Sequence, residues 1–143
     1  MITTTRSDAP SRARGVTIGL WTLQVLLALT YVVGSGLPKL VGEAYAVQIF
    51  DELLGGTPMR LVVGLLEVAG GIGLLVPRMA GLAAACLAAL MVGATVAQLF
   101  FLDLGYWYTP VILGVLLAVV AWVRRAEITA LLGRSSSPIG VLR

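Results

Sequence analysis

Residues 61–76, LVVGLLEVAGGIGLLV, form an apolar stretch with a single carboxylate, Glu67, near its middle. Placing a charged side chain at the centre of a bilayer costs at least ~2.5–3.5 kcal/mol, so such a residue is usually functional or paired. The same stretch contains four glycines, at Gly64, Gly70, Gly71 and Gly73. Small residues let neighbouring helix backbones approach closely. The stretch therefore predicts a membrane helix that packs tightly around a polar centre.

The composition is that of an integral membrane protein. Hydrophobic residues make up 59% of the 143 positions and charged residues 12%, and the mean hydropathy is +0.99. Soluble domains average about 45–50% apolar and about 25% charged residues. The length accommodates four spans of ~20 residues with short connections in one domain.

Several function classes are excluded by the residue inventory. The net charge of +3 is not arranged as a basic stripe with interleaved aromatic residues, so we expect no nucleic-acid partner. Cys86 is the single cysteine, which rules out an intramolecular disulfide and a CxxC pair. The chain contains no histidine, so we expect no metal site and no haem site built on imidazole.

The apolar runs predict an all-α, integral membrane four-helix bundle that forms one domain over residues 16–132. Its spans are expected at about residues 16–37, 59–76, 79–101 and 109–125, with polar tails at 1–15 and 133–143. Pro38 predicts the end of the first span, because proline cannot continue the hydrogen-bond ladder. Thr57 and Thr109, each followed by proline, predict an N-cap before a first-turn proline. A cleaved signal peptide is the competing interpretation of the first span, for which its apolar run is long.

Residues 41–54, between the first and second spans, have a different pattern. Val41, Tyr45, Ile49 and Leu53 recur at every fourth position, and polar residues lie mostly elsewhere. The segment is too short and too polar to cross a bilayer. It therefore predicts a short amphipathic helix on the outer membrane surface.

The basic residues predict the orientation. Eight of the ten lysines and arginines fall in the segments on one side, namely the tails, the turn between the second and third spans and the end of the fourth span: Arg6, Arg12, Arg14, Arg78, Arg124, Arg125, Arg134 and Arg143. The opposite side has Lys39 and Arg60. Because loops rich in lysine and arginine stay in the cytoplasm, both termini are predicted to be cytoplasmic, in the inner (plasma) membrane of the cell.

Helix spacing places several polar side chains near Glu67. That residue lies ~12 Å below the start of its span at 1.5 Å per residue, and Tyr31 lies at a similar depth. Tyr31, Ser35 and Lys39 are spaced by four residues and share one helix face. We predict an outward-facing pocket for a ligand or a proton, with Glu67 at its floor, Tyr31 beside it, and Lys39 and Gln98 nearer its mouth. The amphipathic segment would close it.

The same side chains also have structural interpretations. In these, Glu67 is a neutral acid that is hydrogen-bonded to Tyr31 or to a backbone carbonyl. Lys39 is then an interfacial anchor whose ammonium group reaches the lipid head groups. Tyr31 and Gln98 are then only interhelical hydrogen-bonding residues. Both sets of interpretations remain open at the level of the sequence.

Two motifs give the chain a family resemblance. Residues 35–40, SGLPKL, followed by residues 64–71, GLLEVAGG, resemble the DoxX and DoxX-like family of small four-span membrane proteins. The resemblance covers about residues 16–125. Family members often carry a histidine late in the third span, where this chain has Gln98. Some relatives are subunits of quinone-linked sulfur oxidoreductases, others are linked to thiol and oxidative-stress systems, and distant relatives are assembly or cargo factors.

Three functions follow as hypotheses. The first is an accessory subunit of a quinone-linked redox or respiratory complex, with no built-in cofactor but a bound quinone or lipid. The second is a non-catalytic assembly, chaperone or scaffold protein, and the third is binding or transport of a small solute or lipid. The expected partners are the lipid bilayer and either another membrane protein or further copies of the chain. Whether the chain is itself an enzyme stays open.

Overall fold

A computed structural model describes residues 9–53, 55–102 and 105–134, and every regular element in these ranges is helical. The elements are α1 (Ala9–Leu29) with π-helical turns at Thr30–Gly36, α2 (Leu37–Val41), α3 (Ala44–Leu53), α4 (Gly56–Leu75), α5 (Ala80–Ala97) with π-helical turns at Gln98–Leu102, α6 (Tyr108–Val123) and α7 (Arg125–Arg134). The prediction of an all-α chain is thus confirmed for the described residues.

Three helices in the described ranges are long and apolar enough to cross a membrane. They are Arg14–Val41, Gly56–Leu75 and Ala80–Phe101, and Tyr108–Val123 is a shorter apolar helix. These helices lie at the positions of the four predicted spans, of which three are long enough to cross a membrane. The fourth ends at Val123 instead of residue 125, because Arg124 leaves the helical conformation before α7 begins.

The first helix is longer than predicted at both ends. It begins at Ala9 instead of residue 16, and the helical path continues through the π-helical turns and past Pro38 to Val41. Pro38 is tolerated because it lies in the first turn of α2, where a missing N–H is least costly. Immediately before it, the Leu37 N–H donates to the Val32 carbonyl, five residues back. Residues 1–8 and 135–143 of the two predicted tails lie outside the described residues.

The short helix α3 exists as predicted, within the segment at 41–54. Gly42, with φ of 75°, ends α2, so Val41 belongs to α2 and lies outside α3. α3, which packs against α4, buries Ala46 and Phe50. Val41 and Tyr45, from the predicted apolar face, are 77% and 54% exposed, and the contact of this face with a membrane surface stays a prediction.

The predicted threonine caps are also wrong. Gly55 caps α4 without a side-chain hydrogen bond, and the Thr57 hydroxyl donates to the Asp51 carboxylate at 3.3 Å. The helix α6 begins at Tyr108, one residue before Thr109. The prolines of the two motifs do lie in the first turns, as expected.

The core lies where four helices meet. α5 packs along α6, and α4 packs against α5, α1 and the π-helical turns at 30–36, while the contact between α1 and α6 is small. The buried apolar side chains in this core are Leu27, Ala28, Tyr31, Leu74, Ala83, Ala84, Leu87, Met91, Leu117 and Val120. Many other apolar side chains point outward, and Phe100, for example, is 76% exposed. An apolar exterior of this extent is suited to lipid contact.

Two glycines of α4 face the first helix. A Cβ atom at Gly64 would lie 2.9 Å from the Lys39 Cβ, and one at Gly71 would lie 2.7 Å from the Val32 Cγ2. Real Cβ atoms do not approach other atoms this closely. The two helices therefore pack at a separation that requires glycine at both positions.

The other two glycines face α5. A Cβ atom at Gly70 would lie 2.6 Å from the Leu87 Cγ, and one at Gly73 would lie 2.8 Å from the Ala83 Cβ. Leu87 and Ala83 both belong to the buried core. The glycines of α4 thus form two close contacts on different faces, with the first helix and with α5.

We expect Gly71→Ala to destabilise the fold, because its Cβ atom overlaps Val32 and approaches the Ala28 carbonyl oxygen to 3.2 Å. Overpacking of this kind costs about 1–3 kcal/mol. Gly93→Ala is the matched control, since no described atom lies within 4 Å of its Cβ position. Alanine also has the higher helix propensity. Thermal unfolding in detergent, followed by circular dichroism, should give a melting temperature below that of wild type for Gly71→Ala. The melting temperature of Gly93→Ala should equal or exceed that of wild type. Equal stability of the two variants would contradict the packing account.

Candidate functional site

One face of α4 carries the polar residues of the candidate site. Arg60, Gly64, Glu67 and Gly71 follow at intervals of four, three and four residues, so they share a helix face. The two glycines place this face against the first helix. The polar side chains are consequently enclosed between two closely packed helices.

Lys39 and Glu67 form an ion pair. The Lys39 Nζ lies 2.7 Å from the Glu67 Oε2, with 17% of the lysine side chain and 4% of the glutamate side chain exposed. The same Nζ donates to the Ser35 Oγ at 2.7 Å and to the Ser35 carbonyl oxygen at 3.4 Å. The three ammonium hydrogens therefore have three acceptors. Lys39 is thus paired with Glu67, and the hydrogen bond considered between Glu67 and Tyr31 does not form, because the Tyr31 Oη has no partner among the described residues.

The position of Lys39 in the fold explains the pair. A lysine side chain is long and flexible, and its charged end can lie far from its Cα atom. The Lys39 Cβ packs against the backbone of Gly64, one helical turn from Glu67 on α4. The ammonium group therefore reaches the carboxylate along the glycine-lined surface of α4.

Tyr31 is the most unusual polar group of the site. It is 1% exposed, and its Oη has no hydrogen-bond partner among the described residues. Its Cβ would lie 3.4 Å from a Cβ at Gly71, which is on the face of α4 that carries Glu67. A buried hydroxyl without a partner costs about 1–3 kcal/mol, and native structures contain few such groups.

Gln98 is not brought to the ion pair. It begins the π-helical turns at 98–102, which contact α3 and α5 but, within the described residues, neither the first helix nor α4. Its Oε1 is buried without a hydrogen-bond partner in the described part of the chain. Gln98 therefore lies apart from Lys39, Glu67 and Tyr31.

The Glu67 carboxylate is almost fully buried in this structure, with 4% of its side chain exposed. Lys39 is the more exposed member of the pair, with 17% of its side chain exposed. The outward-facing pocket around Glu67 stays a prediction.

Arg60 was not predicted as part of the site. It is 7% exposed, its Nη1 donates to the Lys39 carbonyl oxygen, and its Nε is buried without a partner among the described residues. The donation to Lys39 links the start of α4 to the end of α2. From the sequence, an arginine near the start of a span indicates only a charge at the membrane interface.

A second polar cluster lies at the opposite end of α4. Gln24 is fully buried, and its Nε2 donates to the Leu74 carbonyl at 2.9 Å. Its Oε1 accepts from the Arg124 Nη2 at 2.8 Å, while the Arg124 Nη1 donates to the Glu127 Oε1 at 2.5 Å. The Arg124 guanidinium also lies 5.4 Å from the Trp21 ring centroid. The signal that could have identified this cluster is the lone amide of Gln24 in an apolar run.

The chemistry available at the site is that of an acid, an amine and a phenol. In the described ranges, no three histidine, cysteine, aspartate or glutamate side chains lie close enough together to hold a metal ion. Cys86 is exposed on α5. The site can donate hydrogen bonds to a ligand with acceptor oxygens and can hold a proton on the carboxylate or the amine.

Comparison with known proteins identifies the family. The sequence model of the DoxX-like family matches residues 22–120, a range that contains the ion pair, Tyr31, Arg60 and the glycines at 64, 70, 71 and 73. No curated protein and no solved structure matched the chain. The family match covers well over half of the chain and agrees with the apolar helices of the fold. The chain is therefore a membrane protein that belongs to the DoxX-like family.

Proposed function

We propose that the chain is an accessory subunit of a quinone-linked redox or respiratory membrane complex, and that it binds the quinone head group beside Tyr31. The observation that carries this proposal is the buried Tyr31 hydroxyl, which has no partner among the described residues. Quinone carbonyl oxygens accept hydrogen bonds, so a quinone would satisfy this donor. The family match supports a membrane role but does not by itself specify the ligand.

The other residues would orient the ligand and handle a proton. Lys39 is the more exposed member of the ion pair and would move aside as the head group enters. Ser35, which accepts a hydrogen bond from Lys39, would hold the ammonium group in its displaced position. Glu67 would then be the group that accepts or releases a proton near the ligand. The electrons would come from a partner subunit or from a bound flavin.

The membrane arrangement belongs to the same proposal. We infer four spans in the inner membrane, with α6 as the fourth and both termini in the cytoplasm. The arginines of the tails and of the turn at Arg78 favour this orientation, because positively charged segments remain on the cytoplasmic side. The ends of α2 and the start of α4 would then lie on the outer side.

A second candidate function is assembly or scaffolding, with Glu67 as a structural residue. The observation that favours it is the saturation of the Lys39 ammonium group by Ser35 and Glu67. A pair that is fully satisfied can hold two helices together without any ligand. The closely packed glycines of α4 are compatible with both functions.

We expect Tyr31→Phe to lower quinone retention without lowering stability. The variant removes only the Oη, whose burial without a partner is unfavourable, so the melting temperature should stay equal or rise. Loss of one hydrogen bond corresponds to about a two- to tenfold loss of affinity. The measurement is native mass spectrometry of protein in nanodiscs loaded with an isoprenoid quinone. Tyr108→Phe, at a tyrosine that is 47% exposed, is the control and should retain quinone. Unchanged quinone retention by Tyr31→Phe would contradict the proposal that Tyr31 binds the quinone.

A double-mutant cycle distinguishes a functional role of the Lys39–Glu67 ion pair from a purely structural one. Lys39→Met and Glu67→Met should each cost about 3 kcal/mol, near the lower end for breaking a buried pair because Lys39 is 17% exposed. The double variant replaces both charges with apolar groups and should recover stability to within about 1 kcal/mol of wild type. If the proposal holds, the recovered double variant keeps quinone through Tyr31 but no longer supports the turnover of the partner complex, because it lacks the group that handles the proton. A double variant that still supports this turnover would favour the assembly function.

The orientation predicts the behaviour of terminal fusions. Green fluorescent protein fused to the C-terminus of the full chain should fluoresce, and alkaline phosphatase fused there should be inactive. The reason is that each reporter is functional on only one side of the membrane. Gly105→Cys, in a Cys86→Ser background, should react with a membrane-impermeant maleimide in spheroplasts. An active phosphatase at the C-terminus would contradict the predicted cytoplasmic location of the C-terminus.

A further inference from the structure

Among the side chains that the structure describes, the charges between α2 and α4 do not balance. Lys39 and Arg60 bring two cationic side chains to this region, and Glu67 is the carboxylate that pairs with one of them. The described residues contain two ion pairs, Lys39–Glu67 and Arg124–Glu127, and neither includes Arg60. Arg60 is nevertheless 7% exposed. Buried charges in proteins are normally paired or bound to a ligand.

The nearby acidic side chains have other partners. The Glu43 Oε2 accepts a hydrogen bond from the Ala46 N–H at 3.3 Å, at the start of α3. The Asp51 Oδ1 accepts one from the Thr57 hydroxyl at 3.3 Å. Neither carboxylate is within ion-pair distance of Arg60 in the described part of the chain. What Arg60 does have is one backbone acceptor, the Lys39 carbonyl oxygen.

The Arg60 guanidinium group faces a glycine with no side chain to cover it. A Cβ atom at Gly42 would lie 3.5 Å from the Arg60 Nη1, 3.7 Å from Nη2 and 3.9 Å from Cζ. Gly42 also has φ of 75°, a conformation that disfavours other residues. The Arg60 Nε is buried without a partner among the described residues. A cation, an unused donor and a glycine thus lie together where α2 ends and α4 begins.

We propose that Arg60 is the binding group of an oxyanion site at this junction, and that its ligand carries a phosphate or carboxylate group. Arginine presents its donors in a planar fork that matches the oxygens of both groups. The oxyanion would supply the missing negative charge and accept from Nε. It belongs either to the head group of an anionic lipid or to a soluble anion. The site does not depend on the quinone proposal, because it uses neither Tyr31 nor the Glu67 carboxylate.

The test is a ligand-dependent melting temperature of the full chain in nanodiscs. In the first arm, nanodiscs of neutral phosphatidylcholine are titrated with inorganic phosphate at constant ionic strength, with chloride as the balancing anion. In the second arm, phosphate is omitted and phosphatidylglycerol is added to the nanodiscs. A higher melting temperature in the first arm identifies the ligand as a soluble oxyanion. A higher melting temperature in the second arm alone identifies it as the phosphate of a lipid head group.

Three variants make the test specific to Arg60. Arg60→Gln should lose the rise, and Arg60→Lys, which keeps the charge and spares the fold, should need about tenfold more ligand because one charge-assisted hydrogen bond is lost. Arg125→Gln removes the same charge from an exposed arginine that stacks 4.8 Å from the Trp122 ring centroid, and it should keep the wild-type rise. The proposal is overturned if neither arm raises the melting temperature of wild type, or if Arg60→Gln and Arg60→Lys respond as wild type does.

Discussion

The contact between the first helix and α4 depends on an ion pair held inside an apolar environment. An isolated charge is expensive there, and the pair is tolerated because the ammonium and carboxylate groups of Lys39 and Glu67 lie 2.7 Å apart. The two backbones also approach closely here. Gly64 and Gly71, on either side of Glu67, leave the space for this approach. The ion pair is therefore enclosed in a contact that the glycines make close.

A second polar contact fixes the same helix pair at its other end. Gln24 joins α1 to the Leu74 carbonyl at the end of α4, and Arg124 connects this amide to the junction of α6 and α7. Between the two polar ends lies the apolar contact at Gly71. The α1–α4 interface is thus held at both ends, which restricts sliding of one helix along the other. Motion that admits a ligand would therefore involve side chains such as Lys39 more readily than whole helices.

Much of the fold could be predicted from the sequence, because apolar length and glycine content act locally. Glu67 was identified from its isolation in an apolar run, and its neighbouring glycines indicated close packing before any contact was known. Other features depend on geometry that has no local signal. The π-helical turns carry the helix past Pro38, and Gly42 ends α2 before α3 begins. The partners of Gln24 lie 50 and 100 residues away in the chain, and only the tertiary fold brings them together.

The Glu67 carboxylate forms an ion pair with Lys39 between the first helix and α4. Infrared spectroscopy tests it directly, because a carboxylate and a carboxylic acid absorb at well-separated frequencies. The spectrum of wild-type protein in lipid is compared with that of Glu67→Gln, both labelled with carboxyl-¹³C glutamate. We predict that the variant loses a carboxylate band and no carboxylic acid band. Loss of a carboxylic acid band at neutral pH would show that Glu67 is protonated, and the ion pair would be wrong.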